Sequence, residues 1–364
     1  EPLPAFPRST VDGYALRAAD THGASPTLPA YLTLTTEIPM GAAATTPLTL
    51  GQCQLIHTGG MLPPGADAVI MIEQTQKTAE AEIECLRPVA HGDNVIQIGE
   101  DITPNQQILP AGHHLRPADL GGLLALGLTT IPVTPQPTVA IISSGDELVP
   151  PSQPLAPGQI RDINSYTLDA FIRNAGGQPR RYPIIPDNPA AFATTARQAL
   201  ADNDVVIFTA GSSVSVRDLT AQTIDTLGPP GILVHGVNIR PGKPTILAVC
   251  HDQPVIGLPG NPVSALVIAE LFVRPLLAHL QGRTTPLLRP QIPATLTLNL
   301  PSQSGREDWL PVRLIPTPDG YQAEPIFGKS NLIFTLARAD GLLRIPPDAT
   351  GLPAGEPVLI TLLQ

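Results

Sequence analysis

A chain of 364 residues exceeds what one hydrophobic core supports, so two to four compact units are expected. Hydrophobic residues make up 42% and charged residues only 14%, with a mean hydropathy of +0.12, which gives a globular chain ample apolar material for its cores. The formal net charge of -10, with no run of Lys or Arg to offset it, opposes nucleic acid as a partner. The apolar stretch from Ser264 to Leu280 is interrupted by Glu270, Arg274 and Pro275, residues costly at a bilayer centre, so no membrane span or membrane partner is expected. Cys53, Cys85 and Cys250 lack CxxC spacing and read as buried thiols of a reducing compartment, in keeping with a cytoplasmic location. No segment reads as a signal peptide; the chain opens at Glu1 without a methionine, which leaves a preceding native segment open.

Residues 1–105 read as a β-rich unit of short strands (Tyr31 to Thr35, Cys53 to Thr58, Ala68 to Glu73, Glu82 to Leu86) separated by Gly and Pro turns. Residues 106–134 carry a helix from Pro117 to Leu126, ended by Gly127, and a proline-marked linker. From 135 to 284 apolar strands alternate with amphipathic helices: Val139 to Ser143, Asp204 to Thr209, Thr245 to Cys250 and Val255 to Leu258 as strands. The helices are one capped by Ser165 and closed by Gly176 and Gly177, one from Pro189 to Leu200, and a long one from Pro262 to Gly282. That alternation predicts a doubly wound, mostly parallel α/β sheet with helices on both faces. Residues 285–364 return to short strands (Ala294 to Leu300, Trp309 to Ile315, Val358 to Leu363), so a small β domain closes a multidomain chain.

Ligands of open parallel sheets bind where loops leave the carboxyl ends of the strands. Three such loops stand out. Gly145, Asp146 and Glu147 follow the first strand; Gly211, Ser212 and Ser213 form a hydroxyl-rich turn leading to Asp218; Gly260, Asn261 and Ser264 open the long helix, where free N–H groups and the helix dipole favour an anion. Any one of these is a plain connecting turn on its own; three on one sheet point to a nucleotide or pterin phosphate. The chain has three Lys against eighteen Arg, and two of the three follow Gly in loops, Lys243 and Lys329. An ammonium is a compact point charge that suits phosphate or oxyanion contact, and Lys243, held between Gly242 and Pro244, fits that role better than Lys329 does.

Seven ordered motifs carry a family resemblance: FPRSTVDGYA from Phe6 to Ala15, TGGMLPPGADAVIMIE from Thr58 to Glu73, GED from Gly99 to Asp101, SGDEL from Ser144 to Leu148, IRDIN from Ile160 to Asn164, RPGKP from Arg240 to Pro244 and GLPGNPVSA from Gly257 to Ala265. In this the chain resembles the MoeA family of molybdopterin molybdenumtransferases, related to the E domain of gephyrin. The resemblance implies a β-rich N-terminal unit, a remnant of a linker and dimerisation domain, a MogA-like molybdopterin-binding domain and a small C-terminal β-barrel, in a homodimer with a composite cleft. It also implies the site: Asp12, Asp101, Glu147, Asp187 and Asp218 as acids, and Arg240, Arg306 and Ser330 for an oxyanion. Mg²⁺ or another divalent cation would be held by Asp12, Asp101, Glu147 and Asp218. The implied reaction inserts molybdate into adenylylated molybdopterin and releases AMP. Partners implied are molybdopterin adenylyltransferase and molybdoenzyme maturation proteins.

The chain departs from the family pattern at Ala210 and Ser215, usually Gly, and at Gly236, where some members carry Lys. These departures keep a non-catalytic molybdopterin-binding or scaffold role open. Molybdopterin adenylyltransferase activity is the other alternative, opposed by the β-rich flanks and by Asp12 and Asp101, which the stand-alone domain with that activity lacks.

Overall fold

The computed structural model describes residues 1–210, 214–285 and 287–363. Its chain divides into two compact units, residues 1–110 with 115–131, and residues 111–114 with 132–364.

The first unit is built on a six-stranded sheet. Its strands are β1 (Gly13–Leu16), β2 (Ala30–Glu37), β3 (Gln52–Ile56), β4 (Ala68–Met71), β5 (Thr75–Ala79) and β6 (Glu82–Cys85), in the order β4-β1-β3-β2-β6-β5. Leu16, Leu32, Cys53, Ile70, Ile83 and Cys85 fill one core of the unit, and Ala15, Ile56 and Val69 join Ile38 and Leu48 in a second. The alternation of inward residues along each strand therefore builds both. The helix α1 (Pro117–Ala125) ends before Gly127, whose φ of 74° closes it as the sequence predicts.

In the second unit the strands β7 (Thr138–Ser144), β8 (Gln178–Arg181), β9 (Val205–Ala210), β10 (Pro230–His235), β11 (Ile246–Cys250) and β12 (Gln253–Leu258) form one sheet ordered β8-β7-β9-β12-β11-β10. The first four strands in that order are parallel and the last two antiparallel. Helices α2 (Asn164–Asn174), α3 (Pro189–Asp202), α4 (Val214–Asp225), α5 (Pro262–Ile268) and α6 (Arg274–Leu280) cover it. Phe192, Ala196 and Ile224 of α3 and α4 pack on Ala140, Val206 and Phe208, while Leu168, Ile172, Ile268 and Leu277 of α2, α5 and α6 pack on Val139, Ile141 and Ile207. Successive strand residues feed opposite cores, which is the doubly wound arrangement expected.

One helix reading is corrected. The N-terminus of α2 is not capped by Ser165, which lies inside the first turn; the carboxylate of Asp162, two residues before the helix, accepts from the Ser165 N–H at 3.1 Å instead. The long helix runs from Pro262 to Leu280 as expected, with a π turn over Ala269–Val273 joining α5 to α6. Pro262–Leu280 is apolar and long enough to cross a membrane by composition, but 56% of its most apolar window is buried. Ala265, Ile268, Val273 and Leu277 face the sheet, and Val263 and Val267 face Trp309 and Leu342. Two apolar faces packed on two neighbours account for its composition.

The strands β13 (Gln291–Leu296), β14 (Glu307–Thr317), β15 (Gly320–Pro325), β16 (Gly341–Ile345) and β17 (Pro357–Leu362) close on themselves through the pairings β13–β17, β17–β16, β16–β14, β14–β15 and β15–β13. This is the small C-terminal barrel, and closure leaves it no free edge. A two-residue segment of the α/β part, Ile239–Arg240, pairs parallel with Glu307 and Asp308 of β14 and ties the barrel to the RPGKP loop.

Candidate functional site

Strands β7, β9 and β12 lie side by side and parallel, with Ser144 opposite Ala210 and Thr209 opposite Leu258, so the carboxyl ends from which the three loops singled out in the sequence depart are neighbours. Gly211, Ser212 and Ser213 lie outside the described residues, as do the side chains of Ala210, Ser215 and Asp218. The other two loops surround a cavity of about 290 Å³ walled by Glu147, Arg161, Asp162, Asn164, Thr209, Gly260, Asn261 and Asn331.

Hydrogen bonds within this loop cluster fix its shape. The Gly145 N–H donates to the Ile185 carbonyl at 3.2 Å, so that amide is committed to the fold. Asp146 accepts from the Asp187 N–H at 3.1 Å, which draws Asp187 toward the SGDEL loop. The Asp187 carboxyl is held above the ordinary aspartate range, first by partial desolvation and then by the negative charges of Asp146 and Glu147. Asn164 was quoted in the sequence only as part of a motif, yet it lines the cavity. Its Nδ2 donates to the Gly260 carbonyl at 2.8 Å and to Thr209 Oγ1 at 3.3 Å, while its buried Oδ1 has no partner among the described residues. An unpaired buried acceptor is costly unless a ligand supplies the donor.

A second and larger cavity, about 640 Å³, adjoins the first through Asn261. Arg240, Lys243, Lys329, Ser264 and Ser330 line it, with Asp308 as its carboxylate. The loop from 236 to 245 takes its course at two left-handed residues, Gly236 at φ 91° and Gly242 at φ 131°, and a Cβ on Gly242 would run into Ile268. Arg306 lies behind this wall, its Nε and Nη2 donating to the two Asp308 oxygens at 2.7 and 3.0 Å. Asp308 was not among the residues picked from sequence.

The expectation of free N–H groups at the start of α5 is corrected at Val263. Val263 donates its N–H to the Ser330 carbonyl at 3.1 Å, Ala265 donates to Asn261, Pro262 has no N–H, and Asn261 Nδ2 donates to Ser330 Oγ at 2.9 Å. The start of the helix seats the barrel loop carrying Lys329 and Ser330, which takes up the Val263 N–H.

The first unit holds Asp12 and Asp101. Asp12 Oδ1 accepts from the Thr58 N–H at 2.8 Å and lies 3.5 Å from His57 Nδ1, and His57 Nε2 lies 3.0 Å from Glu37. The Thr58 amide, helped by His57, keeps the Asp12 carboxyl below its usual value, and Glu37 foremost raises that of His57. Asp101 is exposed on a loop pinned by its own N–H to the Leu3 carbonyl. Among the described residues no three His, Cys, Asp or Glu side chains stand ready to hold a metal ion.

With this geometry in view, comparison with known proteins decides the family. Residues 1–127 match the model of the MoeA N-terminal region, domains I and II; residues 140–279 match a probable molybdopterin-binding domain; and residues 293–363 match the MoeA C-terminal region, domain IV. Molybdopterin molybdenumtransferase 2 of Mycobacterium tuberculosis is 34% identical over 361 residues, covering 97% of this chain and 87% of that protein. The chain belongs to the MoeA family. The molybdopterin molybdenumtransferase of Bacillus subtilis is 32% identical and covers 100% of this chain and 85% of that protein. The crystal structure of the molybdopterin biosynthesis MoeA protein from Pyrococcus horikoshii superposes with a TM-score of 0.84 at 33% identity, covering 99% of this chain and 88% of that one. The barrel and the doubly wound domain are thus the MoeA architecture.

Proposed function

We propose that this chain acts in molybdenum cofactor biosynthesis, inserting molybdate into adenylylated molybdopterin with release of AMP. The observation that carries the reading is the meeting, at Asn261, of an acid- and amide-lined cavity with one lined by Arg240, Lys243 and Lys329. A pterin nucleotide needs amide and carboxylate partners for its ring and oxygen donors near its phosphates; a molybdate dianion needs cations. The two demands are met in adjoining spaces of one unit. Asn164 Oδ1 suits an N–H donor of the pterin, and Lys243, Arg240 and Ser330 suit the oxyanion.

Hard oxygen donors fit a divalent cation in type, and the mutual repulsion felt at Asp187 is what a cation would relieve. Glu147 and Asp218 are acids proposed to hold it, with Asp12 and Asp101 added only by the composite cleft that the family resemblance implies; a bound Mg²⁺ would supply charge neutralisation at the phosphate oxygens. The chain's own groups orient the pterin, hold the oxyanion and keep the phosphoanhydride near the acids. We also propose a cytoplasmic homodimer, following the composite cleft that the family resemblance implies.

The test is incubation with adenylylated molybdopterin, Mg²⁺ and molybdate, measuring AMP and active cofactor together. Glu147→Ala and Asp218→Ala are each expected to abolish molybdate-dependent AMP release while circular dichroism stays unchanged. Wild-type turnover by both variants at saturating Mg²⁺ overturns the assignment. Pterin binding by the parent protein without AMP release leaves a scaffold.

A further inference from the structure

A tetrahedral oxyanion fills only a small part of a cavity of about 640 Å³, a space of the size that takes a ligand of several rings. Its lining is of two kinds. Arg240, Lys243 and Lys329 supply cations, while Leu300, Trp309, Leu310 and Phe327 are apolar and offer molybdate nothing. The first three of these apolar residues are buried or half-buried, whereas Phe327 is 62% exposed. Its backbone is held on both sides. The Ile326 N–H donates to the Pro311 carbonyl at 2.9 Å, and a Cβ on Gly328 would run into the Thr335 methyl. Among the described residues no second ring stacks on Phe327 and no cation lies over it.

We propose that Phe327 is a specificity-determining residue that stacks on a planar heterocycle of the bound substrate, the pterin or the adenine, while the cations of the same cavity hold the oxyanion. This rests on reading the chain as one that binds adenylylated molybdopterin. The face of a phenyl ring carries the negative lobe of its quadrupole and holds off an anion, so Phe327 is no anion contact. Core packing does not account for the ring either, since most of it stays in water. A nitrogen-rich flat ring laid on that face takes both surfaces out of water and gains the offset stacking that aromatic pairs prefer. Both flat ends of adenylylated molybdopterin are of this kind. Anchoring at Ile326 and Gly328 lowers the conformational cost of presenting the ring to them.

Titration calorimetry on the full chain is the test, with adenylylated molybdopterin, molybdopterin without its nucleotide, and molybdate as separate probes. Phe327→Ala is expected to weaken binding of the adenylylated ligand roughly tenfold, the scale of one base stacked on an aromatic side chain, and to leave that of molybdate within about twofold. Phe327→Leu keeps apolar volume but loses the π face, so it is expected to bind as weakly as the Ala variant. Phe327→Tyr keeps the face and is expected to bind as the parent protein does. An equal loss with molybdopterin lacking the nucleotide names the pterin as the stacked ring, and a loss confined to the adenylylated ligand names the adenine. Parent-like affinity in the Ala or Leu variant, a Tyr variant as weak as the Ala variant, or a parallel fall in molybdate binding overturns the proposal. A parent protein that does not bind adenylylated molybdopterin contradicts the proposed function itself, and the stacking role falls with it.

Discussion

Lys243 carries an exposed ammonium on the wall of the larger cavity, beside Arg240 and near Lys329 and Ser330. Its place is set by the backbone: Val237 donates to the Lys243 carbonyl at 2.9 Å, and Gly242 cannot take a side chain without displacing Ile268. Lys243→Ala is therefore expected to weaken binding of the adenylylated pterin or of molybdate by one charge-assisted hydrogen bond, roughly tenfold to a hundredfold. Lys243→Arg is expected to recover only part, since a planar fork on the same fixed loop places its charge elsewhere. Titration calorimetry separates the outcomes, and unchanged affinity in the Ala variant takes Lys243 out of the site. This residue was legible in the sequence because lysine is so scarce. Asp308 was not, since an acid in a charged turn looks ordinary until the parallel register with Arg240 is known. Asn164 escaped for a related reason: its partners Thr209 and Gly260 are distant in sequence, and only the fold brings them to its Nδ2 and leaves Oδ1 without a partner among the described residues.

Strands rich in Val and Ile were legible as elements, and two of those that were missed have a common cause. Gln178–Arg181 and Pro230–His235 are the two edges of the α/β sheet, where a strand needs no continuous apolar run and tolerates proline. Gly13–Leu16 follows an Asp-Gly pair that reads as a turn, although all four of its residues are buried. The start of α5 looked open for an anion because sequence cannot show the barrel loop that occupies it. The first unit's sheet yields a prediction of its own. Burial pushes the Cys53 thiol up to about 12, with the neighbouring Cys85 adding to it, and burial pushes that of Cys85 up to about 11. Both folded values stand above the unfolded one near 9, so the native state holds these protons more tightly. Stability from this source is complete below pH 9 and falls as pH rises toward 11 and 12, on the order of 1 kcal/mol per thiol by pH 10. Thermal melts between pH 8 and 10.5 are expected to show the loss, and Cys53→Ala with Cys85→Ala to flatten it. The same burial predicts slow alkylation of both thiols in the native protein at pH 8. A parent curve as flat as the double variant's, or alkylation at the rate of a free thiol, contradicts the buried state.

Across the whole molecule, two cores sandwich the α/β sheet and a closed barrel ends the chain, so the apolar surface left uncovered is informative where it clusters. One such place is α1 and the turn after it. Leu123 is the buried leucine there, while Leu120, Leu124 and Leu128 are 50%, 61% and 44% exposed. Spaced four apart, Leu120 and Leu124 share one helical face, and an apolar stripe facing water is stabilised by covering it. A second copy of the chain is the occupant proposed, in line with the homodimer implied by the family resemblance. Light scattering is expected to give twice the 38.2 kDa chain mass. Leu120→Glu with Leu124→Glu places like charges on that face in both copies, and the desolvation and repulsion together are expected to yield a monomer that keeps its circular dichroism and its melting profile. The net charge of -10 per chain adds a repulsion between copies that salt screens, so association of the parent protein is expected to strengthen between 50 and 300 mM NaCl. A parent protein that stays monomeric at high concentration and high salt, or a double variant that still dimerises, rules out this face as the one that joins two copies.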